Sequence, residues 1–173
     1  MLPKNPNDDL SFFPQNISSI YLGGGCFWGI EAYMKRVLGV FETEVGYANG
    51  NSENPTYEDV CTNTTGFAEV VLIKYDKTKV SLEGVVKEFL SVCDPISLSG
   101  QVQEVGTQYR SGIYYENNEE EALIKGAINE FQSSYDQKIG IEVQPIENYY
   151  SAEAYHQNYL EKNAGSGCSV RTA

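Results

Sequence analysis

The chain has 173 residues, 41% hydrophobic and 21% charged, which suits one soluble globular domain with a sizeable core. Its 12 Lys and Arg against 24 Asp and Glu leave a net charge of −12. That argues against nucleic acid or an anionic membrane as a partner, since both need clustered cations. No run approaches the roughly 20 apolar residues of a transmembrane helix. The polar start "MLPKNPNDDLSFFPQN" lacks the apolar core of a secretory signal, so a cytoplasmic protein is expected.

In chain order, residues 1–16 read as an extended N-terminal arm and 17–162 as the domain proper. Ile17–Leu22 is a short strand feeding the glycine run "GGGCFWG". From Phe27 the apolar residues Phe27, Ile30, Met34, Val37 and Leu38 keep helical spacing, and Gly39 supplies the stop. Val40–Tyr47 reads as a strand and "ANGNSENP" as a loop. "GFAEVVLIKYD" is the strongest strand signal; its apolar residues of both parities predict a central strand covered on both faces. Ser81 caps a helix carrying Leu82, Val85, Val86, Phe89 and Cys93. A long polar loop leads to the strand "IYYE". Asn117–Tyr135 is an amphipathic helix with an acidic start. "IEVQPIE" is a strand, and Ala152–Lys162 a last short helix. The glycine- and serine-rich tail, 163–173, is expected to be mobile. The pattern predicts an α+β fold, a single domain with helices packed on a mixed sheet.

Four cysteines stand at 26, 61, 93 and 168, with no CxxC pair, so a structural zinc site has little support. His156 is the only histidine, which excludes multi-histidine metal sites. A strand, then glycines, then Cys26 at a helix start is a recipe for a low-pKa thiol, because unpaired N–H groups and the helix dipole favour thiolate. Gly23, Gly24 and Gly25 allow a ligand to approach the backbone closely. Phe27 and Trp28 form an apolar wall suited to a methyl or thioether group. The same residues also suit a glycine-rich turn with core aromatics and a buried thiol. On the residues alone, both readings stand.

"GGGCFWG", followed by "NPTYEDVC", "GFAEVVLIKYD", "GTQYRS" and "YYSAEAYHQNYL", resembles the peptide methionine sulfoxide reductase A family over about Ile20 to Leu160. The resemblance implies a two-layer sandwich and an enzyme that reduces the S-epimer of methionine sulfoxide, free or in proteins, as a repair of oxidative damage. It implies that Cys26 is the nucleophile and passes through a sulfenic acid. Phe27 and Trp28 match the residues that cup the substrate methyl. Glu69 matches the acid that protonates the departing oxygen, and Tyr57 and Tyr109 match hydroxyl donors to that oxygen. His156 reads as a hydrogen-bonded scaffold residue, and Arg110 as a structural ion-pair member. No cofactor is expected; thioredoxin, or dithiothreitol in vitro, is the implied reductant and thioredoxin the implied protein partner. A monomer is expected.

Some positions depart from the family pattern. Phe67 stands where Gly-His-Ala-Glu is usual. Glu104 replaces an aspartate in the usual Gln-Gly-x-Asp-x-Gly, where Val102 also replaces a glycine. Cys93 precedes Asp94 and Pro95 in place of histidine. These bear on substrate range and rate more than on reaction type. Cys168, in "GSGCS", fits the family's resolving cysteine, which forms a disulfide with Cys26. Cys61 and Cys93 read as buried spectators. A thiol peroxidase using Cys26, or a non-catalytic module binding oxidised methionine, are the rival functions.

Overall fold

A computed structural model describes residues 3–24, 27–51, 53–61, 66–92, 111–133 and 141–162. The elements run β1 (Ile17–Gly23), α1 (Phe27–Met34), β2 (Val40–Ala48), α2 (Tyr57–Cys61), β3 (Ala68–Asp76), α3 (Leu82–Val92), β4 (Gly112–Tyr115), α4 (Glu119–Gln132), β5 (Glu142–Pro145), β6 (Tyr149–Ser151) and α5 (Tyr159–Lys162). Among the described residues, six strands form one sheet in the order β5-β4-β1-β3-β2-β6. Its pairs are antiparallel except β4 with β5, which are parallel. The expected α+β domain with helices on a mixed sheet is what the chain forms.

Strand β3 is central, as its double-parity pattern predicts. Val71, Ile73 and Tyr75 of β3 join the main core with Ile20 and Leu22 of β1, Ile30 and Met34 of α1, and Val85, Val86 and Phe89 of α3. The alternate residues Ala68, Val70 and Leu72 meet Tyr21, Ala48 and Tyr114 on the opposite face, with Tyr149 packed against them. Burying both faces explains why polar residues are few between Ala68 and Ile73. Glu69 is the exception. It shares the parity of Val71, so its side chain belongs to the helix-covered face, and it is 1% exposed.

The Ser81 cap is real: its hydroxyl accepts the Gly84 N–H at 3.0 Å. Gly39 has φ +101°, and a Cβ there would lie 2.6 Å from Val80 Cγ1, so both the turn after α1 and its packing demand glycine. The arm differs from a plain extended segment. It forms two short 3-10 turns, Pro6–Asp9 and Pro14–Asn16, and it is docked. Asn7, 7% exposed, donates to Lys35 O (3.1 Å) and Val37 O (2.8 Å) and accepts from Gly39 N–H (2.8 Å). These polar backbone groups have left the helix ladder, and the arm supplies their partners. Phe41 is squeezed out at the irregularity in β2 between Val40 and Glu42, and its ring meets Phe12 of the arm at 5.2 Å.

The last helix is shorter than its apolar spacing predicts. Ala154–His156 is a 3-10 turn and α5 begins only at Tyr159. Asn158, at φ +52°, breaks the run in a left-handed conformation that asparagine tolerates better than most residues. The short edge strand β6 has no pattern of its own in the sequence; it is made by pairing with the end of β2.

Asn7→Ala takes away the acceptor of the buried Gly39 N–H and the donor to Lys35 O and Val37 O, of which Val37 O keeps the Val40 N–H. Chemical denaturation should show a loss of roughly 1–3 kcal/mol. An unchanged midpoint would mean that the docked arm adds nothing to the fold.

Candidate active site

Strand register gathers one end of the sheet into a site. β1 ends at Gly23, opposite Gly112 at the start of β4. β3 starts there with Ala68 and Glu69, opposite Ala48 and Tyr47 at the end of β2. Tyr47 and Ala48 in turn pair with Tyr150 and Tyr149 of β6. The loop from β1 into α1, which carries Cys26, leaves from this same end.

A continuous series of contacts runs from Glu69 to α1. Tyr47, 0% exposed, faces the same core as Glu69, and its phenol is raised above its ordinary pKa. Burial is the largest cause of that rise and the bond to Glu153 the next, so Tyr47 keeps its proton. It donates that proton to Glu153 Oε1 at 2.8 Å. The second oxygen, Oε2, accepts the backbone N–H of Tyr57 at 3.0 Å. This N–H opens α2, where the helix itself offers no partner. Thr56 and Asp59 complete the start of α2 by exchanging side chain–backbone bonds of 3.1 Å. Burial alone would push the Glu153 carboxyl up. The backbone N–H groups of Tyr57 and Glu153, the Tyr47 hydroxyl and His156 together hold it below the ordinary value.

The Tyr57 ring lies 4.6 Å from His156. His156 is 2% exposed, and its Nδ1 accepts the indole N–H of Trp28 at 3.1 Å. Trp28 stacks on Tyr159 at 3.8 Å and 10°, while the exposed Tyr155 ring approaches His156 at 4.1 Å. An Nδ1 that accepts must be unprotonated, so the imidazole is neutral with its proton on Nε2. Burial lowers its pKa from 6.5, opposed by the charge of Glu153. Glu31 braces this wall from behind. Its buried carboxylate accepts Asn158 N–H at 2.7 Å and the Thr43 hydroxyl at 3.0 Å. Burial pushes the Glu31 pKa up against the pull of those two bonds.

Of the expected site residues, Trp28, Tyr57 and Glu69 are thus linked through Tyr47, Glu153 and His156. Phe27 opens α1. Cys26, Glu104, Tyr109 and Cys168 lie outside the described residues, as do Cys93, Val102 and Arg110. His156 is buried and hydrogen-bonded to Trp28. Phe67, 1% exposed, is core: it meets Tyr150 edge-on at 5.9 Å, and its ring fills the space a Cβ on Gly50 would occupy. Sequence reasoning misses Tyr47, Glu153, Tyr159 and Glu31. "YYSAEAYHQNYL" contains Glu153 and Tyr159, but nothing local marks them among the chain's 24 acids and 13 tyrosines. Among the described residues no group of three His, Cys, Asp or Glu could hold a metal, and no helix is long and apolar enough to cross a membrane.

A model of the family described as peptide methionine sulfoxide reductase matches residues 18–173. The chain belongs to the peptide methionine sulfoxide reductase A family. It is an enzyme of that family, a peptide-methionine (S)-S-oxide reductase. It is 50% identical over 155 residues to the MsrA of Clostridium perfringens, covering 90% of this chain and 99% of the relative. It is 49% identical to the MsrA of Alkaliphilus metalliredigens, over 89% of this chain and 98% of that protein. The reduced form of Mxr1 from Saccharomyces cerevisiae superimposes with a TM-score of 0.84 at 34% identity, covering 93% of this chain and 94% of Mxr1. A structure of Mxr1 in complex with Trx2 matches at a TM-score of 0.61 and 25% identity, over 87% of this chain and 90% of that one.

The only tryptophan and the only histidine of the chain touch, which makes a clean reporter. Protonation of Nδ1 competes with the indole N–H, so Trp28 emission should titrate with a midpoint below 6.5. The fold favours the neutral ring. Its contribution to stability is therefore full above pH 6.5, shrinks as the pH falls through the window below it, and is gone below the folded-state pKa. A midpoint at or above 6.5 would contradict the buried, accepting imidazole.

Proposed function

We propose that the enzyme reduces methionine S-sulfoxide through Cys26, with Glu69, Tyr57 and Tyr109 acting on the sulfoxide oxygen and Phe27 and Trp28 on the methyl. The observation that carries this reading is the burial of Glu69 at the sheet end from which the Cys26 loop departs, linked to Trp28 through Tyr47, Glu153, Tyr57 and His156.

The chemistry follows from the substrate. A sulfoxide carries one small apolar group and one polar oxygen on sulfur, and that oxygen leaves poorly until it is protonated. The Cys26 thiolate attacks the sulfoxide sulfur while Glu69 delivers a proton to the oxygen. Overall, thiolate, proton and sulfoxide become thioether and a Cys26 sulfenic acid; the substrate gains two electrons and the cysteine loses two. Glu104 replaces the family aspartate with a longer side chain, which keeps the carboxylate but changes its reach. The Cys168 thiol then attacks the sulfenic acid, water leaves, and a Cys26–Cys168 disulfide remains. A tail of small residues closes this loop at little entropic cost. A thioredoxin dithiol takes over the disulfide by exchange and returns both thiols to the reduced state. The structure of Mxr1 with Trx2 supports a partner of that kind. A reducing compartment suits such a cycle.

Cys26→Ser should abolish methionine formation while the fold persists; activity within a few-fold of wild type would falsify the nucleophile assignment. Glu69→Gln should slow single-turnover methionine release by roughly 10²–10⁴-fold. An unchanged rate removes Glu69 from the proton transfer. Cys168→Ser should release about one methionine per enzyme and then stall when thioredoxin is the only reductant, with partial rescue by dithiothreitol. A mutant that cycles normally on thioredoxin has another resolver.

A further inference from the structure

Glu153 carries no expected part in the reaction, yet its two carboxylate oxygens join three elements that meet at the site. Oε1 takes the Tyr47 hydroxyl at the end of β2, 106 residues away in sequence. Oε2 takes the Tyr57 backbone N–H at the start of α2, 96 residues away. Glu153 itself precedes the 3-10 turn Ala154–His156, which sets His156 against the Tyr57 ring and under the Trp28 N–H. Tyr57 follows a loop, and the Thr56–Asp59 box fixes only the local turn of α2. Val60 packs α2 into the core, and the Glu153 carboxylate adds a polar tie from its first N–H to the end of β2.

We propose that Glu153 is a positioning residue: its carboxylate bridge between Tyr47 and the backbone of Tyr57 holds the Tyr57 hydroxyl in register with the buried Glu69. This rests on the reading that Tyr57 donates to the sulfoxide oxygen. Glu153 does not touch substrate. It acts through Tyr57, and through Tyr47, whose hydroxyl it fixes by accepting its proton at 2.8 Å beside the paired Glu69. Both effects are of placement, and small displacements of a donor cost much more in a transition state than in ground-state binding. The loss therefore belongs to kcat and not to KM.

The test is a double-mutant cycle on the full chain, reading single-turnover methionine release from a peptide S-sulfoxide with dithiothreitol present. Glu153→Ala should slow release by roughly 10–100-fold with little change in KM. Glu153→Gln keeps a carbonyl acceptor for the Tyr57 N–H and should recover part of that loss. In a Tyr57→Phe background the alanine substitution should cost less than about threefold, because the hydroxyl it positions is gone. Tyr47→Phe, a milder change that keeps the ring packed, should slow release several-fold and covers the case in which the alanine variant does not fold. Equal losses from Glu153→Ala in both backgrounds, with Tyr57→Phe itself slow, overturn the positioning role alone. A Tyr57→Phe enzyme at full rate overturns the assignment of Tyr57, and the role of Glu153 with it. A glutamine variant no faster than alanine, or full rates in both Glu153→Ala and Tyr47→Phe, also overturns the proposal.

Discussion

The hydrogen bond from the Trp28 indole to His156 closes the site. It joins the helix that follows the glycine run to a segment 128 residues further along. It forms only if His156 is neutral and its Nδ1 lies within reach of the indole N–H. Both conditions are set elsewhere. Burial keeps the imidazole unprotonated. The left-handed Asn158, pinned through its N–H to Glu31 of α1, turns the chain so that His156 and Tyr159 both face Trp28. Gln157 adds the third tie. Its amide accepts Val45 N–H at 2.9 Å and donates to Val45 O at 2.8 Å, so the same segment is fastened to β2. One aromatic wall thus depends on a helix, a strand and a turn that are distant in sequence.

The opposite wall depends on register. Tyr47 opposes Glu69 because β2 and β3 pair over eight residue pairs from Val40↔Tyr75 to Ala48↔Ala68. A slip of one residue would carry Glu69 to the other face of the sheet and Val70 into its place. Apolar residues on both faces of β3 normally leave register weakly marked. Here the buried carboxylate, the Tyr47–Glu153 bond and the bulge at Phe41 mark it. The acid proposed for the reaction is thus also a residue that marks the register of the fold.

Much of this was legible in the sequence, and the reason differs by element. The strand Ala68–Asp76 and the helix capped by Ser81 carry their signals within a few residues, because caps and strand periodicity are local, whereas the short helix α2 was not among the expected elements. The final helix was overestimated. Spacing cannot show that Asn158 would exchange a helical conformation for a left-handed one in return for a bond to Glu31. Strand β6 and the docking of Asn7 are likewise made by partners far along the chain. Trp28, Tyr57 and Glu69 were marked by motif, whereas Tyr47 and Glu153 became visible only through the bonds that connect them. The departure at Phe67 is a packing change, since the ring lies in the core over Gly50.

In the proposed arrangement the oxygen of a chiral sulfoxide meets the Tyr57 hydroxyl and Glu69 and its methyl meets the rings of Phe27 and Trp28, so the remaining direction carries the peptide. Exchanging oxygen and methyl would bury the oxygen against rings without a partner, at a cost of roughly 1–3 kcal/mol or more. The most direct measurement is the rate of methionine formation from the S and R epimers of one peptide, with dithiothreitol as reductant. The account predicts turnover of the S epimer and little or none of the R epimer. Comparable rates on the two would contradict it.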